Sequence, residues 1–123
     1  MQTLAETVGL AWIDKAAQTP QATPHEGDAL DFELPFHDPR TCLDAIRFVL
    51  TQISTTPANP TFALLAAGPL EDLLITHGHE LIDKIDLLAR RDPAFRLLLN
   101  GAWISQAAPL VLERLAKYRN APW

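Results

Sequence analysis

The chain has 123 residues, one domain's length, and its 48% apolar and 20% charged residues match globular proteins rather than disordered or fibrous ones. A domain of this size buries roughly two-thirds of its unfolded surface, and with a single cysteine, Cys42, it can form no intrachain disulfide, which fits a reducing cytoplasm. The net charge of −5 argues against general nucleic-acid binding, which needs a basic surface.

The N-terminal stretch Met1 to Trp12 carries Glu6 and no base, unlike the positive start of a secretory signal. Thr3 to Ala17 then reads as a helix, with Leu4, Val8, Ala11 and Trp12 on one stripe. Thr19 to about His37 has no sustained apolar period and is interrupted by Pro20, Pro24, Gly27 and Pro35; it reads as an irregular acidic connector. Asp38-Pro39 marks a helix start, because proline's missing N–H is unpaired there in any helix. Leu43, Ile46, Leu50 and Ile53 come next at helical spacing, with Arg40, Asp44 and Arg47 on the other side.

The uncharged stretch Phe48 to Leu70 is long enough to span a bilayer, but Pro57, Asn59, Pro60 and Pro69 exclude one apolar helix. No membrane partner is therefore expected. Asn59-Pro60 opens a short helix that Gly68 is expected to stop, and Gly68-Pro69 opens another with Glu71 and Asp72 in its first turn. Gly78 is expected to end or kink that helix. From His79 to Arg91, Leu81, Ile82, Ile85, Leu88 and Ala89 form one stripe, and Asp83, Lys84, Asp86 and Arg90 take the other face. Asp92-Pro93 starts a helix bearing Phe95, Leu98 and Leu99, and a last helix from Pro109 to Arg119 points Val111, Leu115 and Tyr118 inward. Trp12 and Trp103 read as core anchors. Trp123 either folds back onto the bundle or offers an aromatic to a partner.

No segment alternates as a strand does. The expected fold is all-α, one domain over residues 1–123 with about six or seven helices. One internal match bears on the architecture. Asn59-Pro60-x-Phe62-x-Leu64-Leu65-x-x-Gly68 repeats 33 residues later as Asp92-Pro93-x-Phe95-x-Leu97-Leu98-x-x-Gly101. That offset suits stacked helix pairs of the HEAT or TPR kind; an irregular bundle is the alternative.

Charge is unevenly placed. The first 83 residues carry −9 and the remainder +4. Glu26, Asp28, Asp31 and Glu33 fall in the connector, which has no Lys or Arg, and Glu71 with Asp72 makes a second patch. Such a surface steers a basic partner and rejects acidic ones; solvated acidic loops are the ordinary alternative. His77, His79 and Glu80 lie close in sequence, yet a helical zinc site wants ligands four apart, and the two histidines are separated by two around a glycine. Cys42 sits near a helix start, where thiols acidify, but also beside an apolar stripe.

The run Gly68-Pro69-Leu70-Glu71-Asp72-Leu73-Leu74, then His77-Gly78, then Asp92-Pro93-x-Phe95-Arg96-x-x-Leu99-x-Gly101-x-Trp103 resembles a bacterial family of small proteins, the domain-of-unknown-function family 6869. Trp12-Ile13 also fits that pattern. The resemblance implies no activity, cofactor or catalytic residue.

The expected function is a non-catalytic interaction domain, of the immunity type that neutralises a toxin or effector, with Glu26, Asp28, Asp31, Glu33, Glu71 and Asp72 as contact residues. No cofactor or metal is expected. One alternative is a small metal-dependent or acid–base enzyme using His77, His79 and Glu80. Another is an adaptor, or a regulator that mimics nucleic-acid charge.

Overall fold

Helix starts that the sequence marks are closed by the side chains placed to close them. The computed structural model describes residues 1–18 and 23–123; residues 19–22, where the expected connector begins, lie outside the described residues. Thr3 Oγ1 accepts from Glu6 N–H at 3.1 Å while Glu6 Oε1 accepts from Thr3 N–H at 3.2 Å, a reciprocal box that opens α1 (Leu4–Ala16). Asp38, Asn59 and Asp92 each accept a first-turn N–H, at 3.2, 3.1 and 2.9 Å. They open α4 (Pro39–Leu50), α5 (Pro60–Leu65) and α7 (Pro93–Leu99), each with proline in the first turn.

Between α1 and α4 the expected irregular connector contains α2 (Asp28–Phe32) and α3 (Leu34–His37), and Leu30 and Pro35 are buried. Helices of five and four residues are too short to set up a period that a sequence window can detect. Tertiary packing makes them, not propensity.

Gly68 does not stop a helix. α5 runs through a π turn (Ala66–Leu70) directly into α6 (Glu71–Arg91), so the chain is helical from Pro60 to Arg91. Pro69 supplies the reason. In an α-helix its ring meets the carbonyl four residues back and its missing N–H leaves a gap. The wider turn relieves this, and Glu71 N–H donates five residues back to Ala66 O. Gly78 likewise does not end α6; it is buried, and a Cβ there would lie 3.1 Å from Val111. It lets α8 (Pro109–Leu115) approach.

α6 is the axis of the molecule, touching α3, α4, α7 and α8, while α1 crosses α4. In the expected stripes Leu43, Ile46, Ile85, Phe95, Leu98, Val111 and Leu115 are fully enclosed, as is Leu73. Leu4 and Trp103 depart from expectation at 61% and 81% exposed. The two Pro-started copies share their opening and then diverge, since the first continues into α6 while the second ends in a turn at Asn100 and Gly101. The described residues form one all-α domain packed as an irregular bundle.

Asp86, expected on the polar face of α6, is buried. It lies four residues after Ile82 and three before Ala89, so geometry puts it on the apolar stripe despite its charge. Tyr118 Oη donates to Asp86 Oδ1 at 2.5 Å, and Arg114 donates to Oδ2 through Nε at 2.9 Å and Nη2 at 2.8 Å. Arg114 Nη1 also reaches Asp83 at 3.0 Å. These contacts clamp α8 and the adjoining 3₁₀ turn (Ala116–Tyr118) onto α6. The Tyr118 hydrogen bond, with Arg114 and Lys117, holds the Asp86 carboxyl below its ordinary range.

Tyr118→Phe should lower stability by about 1–3 kcal/mol in urea titrations, because a buried ionised acceptor loses its donor. A carboxyl depressed by folding stabilises above its unfolded value near 3.9 and stops doing so as pH falls through the depressed value. Acid unfolding of Asp86→Asn should therefore begin from a lower stability and show a shallower pH dependence than the parent protein.

Candidate functional site

An open groove of about 860 Å³ lies between α1, α2 and the α5–π turn. Trp12, Phe32, Leu64 and Ala67 give it apolar walls, and Lys15, His25, Asp28 and Asp31 supply the polar groups. Lys15 Nζ stands between two carboxylates, 2.6 Å from Asp28 Oδ1 and 2.7 Å from Asp31 Oδ2. It also sits 4.8 Å from the centre of the Phe32 ring. Burial would lower the Lys15 pKa; the Asp28 and Asp31 hydrogen bonds outweigh it and hold the ammonium above its ordinary range. The same contact with Lys15 pulls Asp28 down.

Asp31 also accepts from Trp12 Nε1 at 3.0 Å, so it anchors an otherwise enclosed indole. His25 Nδ1 accepts from Gly27 N–H at 2.8 Å, which leaves Nε2 to carry the proton toward Asp14 Oδ2 at 3.1 Å. Asp28 Oδ2 accepts from His25 N–H at 3.0 Å. The groove is therefore preformed by its own hydrogen bonds.

The six acids expected to meet a partner fall into three situations. Asp28 and Asp31 build the groove and share Lys15. Glu26 and Glu33 flank them in sequence, and both are exposed. Glu71 and Asp72 begin α6: Glu71 Oε1 accepts from Trp103 N–H at 2.8 Å, and Asp72 is held above its ordinary value by burial, then by the charges of Glu71 and Asp31.

The histidine cluster does different work. His77 Nε2 lies 2.8 Å from Phe36 O and its Nδ1 lies 3.1 Å from Glu80 Oε1. Thr76 Oγ1 adds a hydrogen bond to Pro35 O at 2.9 Å, so two residues of α6 latch α3. The Phe36 carbonyl and then Glu80 raise the His77 pKa. His79 is exposed, with Nε2 3.8 Å from Glu80. Among the described residues no three His, Cys, Asp or Glu side chains are arranged to hold a metal ion. Cys42 is fully enclosed, and burial, then Asp72 and Asp38, push its thiol far above the range of a nucleophile.

Residues 28–123 match the model of a family of unknown function, DUF6869. The chain belongs to that family. The match begins at Asp28, so Trp12-Ile13 lies outside it. No curated protein and no solved structure matches the chain. Among the described residues no helix is long and apolar enough to cross a membrane.

Within the matched stretch, the structure shows a second surface that sequence patterns do not mark. Asn100 ties the C-terminal segment down: its Nδ2 donates to Arg96 O at 3.0 Å and Tyr118 O at 2.9 Å, and its Oδ1 accepts from Ala121 N–H at 3.0 Å. Trp123 folds back, stacks on Phe62 at 5.3 Å between ring centres, and donates from Nε1 to Leu97 O at 2.8 Å. A Cβ at Gly101 would lie 2.4 Å from the Trp123 ring, so only glycine admits the ring there. Trp103, expected in the core, instead stands in solvent and shares a shallow concavity with Arg119. Its helical spacing misleads because α7 ends at Leu99.

Asp31→Ala should cost about 1–3 kcal/mol by orphaning the Trp12 indole N–H, readable as a lower urea midpoint and a shifted Trp emission. His77 carries the opposite pH sign to Asp86. A raised histidine stabilises fully below its unfolded value near 6.5 and loses that contribution as pH climbs through the raised one. The Tm difference between the parent protein and His77→Ala should be largest below about pH 6 and shrink toward alkaline pH.

Proposed function

We propose that this chain is a protein-interaction domain that docks a basic, apolar-bearing segment of a partner in the groove between α1, α2 and the π turn. Its most concrete form is an immunity-type inhibitor that covers and neutralises a toxin or effector. The observation that carries this reading is the imbalance inside the groove, where two carboxylates share one ammonium between aromatic walls. After Lys15 is satisfied, one negative charge remains there; Asp72, whose carboxyl feels Asp31, adds to it, and the exposed Glu26 and Glu33 flank it in sequence. Phe32 at 68% and Leu64 at 52% exposure offer apolar contact beside that charge. Apolar anchors surrounded by complementary charge are the usual anatomy of a docking surface.

The pairing also limits which acids serve. Reversing Asp28 or Asp31 would set two cations together and disturb Trp12, so folding and binding would change at once. Glu26 and Glu33 carry the steering role.

The experiment immobilises the protein, isolates its partner from a lysate of the source cell, and measures association and dissociation at several ionic strengths. Glu26→Lys with Glu33→Lys should slow association about tenfold at low salt and flatten its salt dependence, with the melting curve unchanged. Phe32→Ala with Leu64→Ala should speed dissociation about tenfold or more. Parent-like kinetics in both double variants would remove the groove from the interface. A captured partner that is a nucleic-acid-binding machine, competed off by DNA or RNA, would replace the toxin reading with charge mimicry.

A further inference from the structure

On a different surface, and independently of the groove, the C-terminal segment carries a cation that this fold leaves uncompensated. Arg119 is partly buried, and among the described residues no carboxylate lies within 4.0 Å of it. Its partners are main-chain carbonyls: Nε donates to Leu99 O at 3.2 Å and Nη2 to Ala102 O at 2.6 Å. Burial alone accounts for the lowered basicity of the guanidinium, with no acid acting on it.

Which donors are used matters. Nε and Nη2 form one edge of the planar guanidinium, and that edge holds the last carbonyl of α7, Leu99 O, and the Ala102 carbonyl in the segment after it. The Nη1–Nη2 end keeps its parallel N–H pair, the geometry that matches the two oxygens of a carboxylate. No side-chain nitrogen or oxygen of the described residues is both buried and unpaired, so the unbonded Nη1 meets solvent.

Arg119 lines a concavity of about 470 Å³, shared with Trp103, Ile104, Pro122 and Trp123. Trp103 is 81% exposed, and its segment is held by the Glu71 carboxylate on its backbone N–H. The backbone that carries Trp103 and the guanidinium of Arg119 are thus both held in place before anything binds. That is the condition under which a small contact area gives useful affinity.

We propose that the Trp103–Arg119 concavity is a binding site for a carboxylate attached to an aromatic group. The carboxylate takes the open guanidinium fork in two parallel N–H···O bonds, and the ring lies against the Trp103 indole. The volume falls within the range of small-ligand sites. The same chemistry is carried by a free aromatic acid and by an acidic residue next to an aromatic one in a peptide.

The test titrates isotopically labelled protein with phenylacetate, with phenylacetamide as the neutral control, and tracks the Arg119 Nε–H and Trp103 Nε1–H resonances. A parallel arm uses the dipeptide acetyl-Phe-Asp-amide. Saturable shifts of both resonances are expected, with the amide at least about tenfold weaker than the acid, the loss expected for a bidentate charged pair. A dipeptide about tenfold tighter than phenylacetate assigns the site to a partner's acidic segment; the reverse order assigns it to a free acid.

Arg119→Lys keeps the charge but not the fork and should weaken phenylacetate about fivefold or more. Because Arg119 also caps α7, Trp103→Ala serves as the second variant: its side chain is exposed, the melting curve should not move, and phenylacetate affinity should fall several-fold. Equal binding of acid and amide, parent-like affinity in Trp103→Ala, or no saturable shift of either resonance up to about 50 mM would overturn the proposal.

Discussion

A proline that cannot donate a hydrogen bond sits at the junction on which this molecule turns. Pro69 forbids an ordinary α-turn, and the chain answers with a π turn that keeps Pro60 to Arg91 helical while rotating α6 about its axis. The groove and the Trp103 shelf both adjoin that junction. On one side Gly68 lines the groove facing Asp31, where a Cβ would stand at ordinary contact distance, 3.5 Å. On the other side Glu71 arrives where it can hold the Trp103 N–H.

Electrostatics is local in this protein even though the sequence is globally lopsided. Among the described residues, only Asp44 and Asp83 of the first 83 residues meet Lys or Arg of the remainder, Lys84 and Arg114. Lys15, a near neighbour through α1 and α2, takes Asp28 and Asp31. The C-terminal cations turn instead to Asp86 and Asp83 on α6. Charge that is consumed this way shapes the fold, and only the remainder reaches a partner. That remainder is negative around α2 and the π turn and positive at Arg119.

The capped helices are legible because a cap is a local device: Asp38-Pro39, Asn59-Pro60 and Asp92-Pro93 each state a start within two residues. Long stripes are legible for the same reason that they fold, since four or five apolar residues at one spacing agree with each other. Decisions made by distant residues are not legible. Leu30 is buried by helices it does not belong to. Asp86 is tolerated inside because Tyr118 and Arg114, about thirty positions away, supply donors. Trp103 looks like core by type and falls outside because α7 stops at Leu99. Of the expected contact acids, the sequence places four in one segment but cannot say that Asp28 and Asp31 are spoken for by Lys15. His77 is legible only as part of a cluster with His79 and Glu80; its carbonyl partner on α3 belongs to an element that periodicity does not reveal.

The three tryptophans occupy three unlike surroundings: Trp12 enclosed and bonded to a carboxylate, Trp123 half-covered on Phe62, and Trp103 in water. Each therefore glows at its own wavelength and differs in its access to a collisional quencher such as iodide. The molecule carries separate optical reporters on its groove, its tail and its outer shelf, without any label attached.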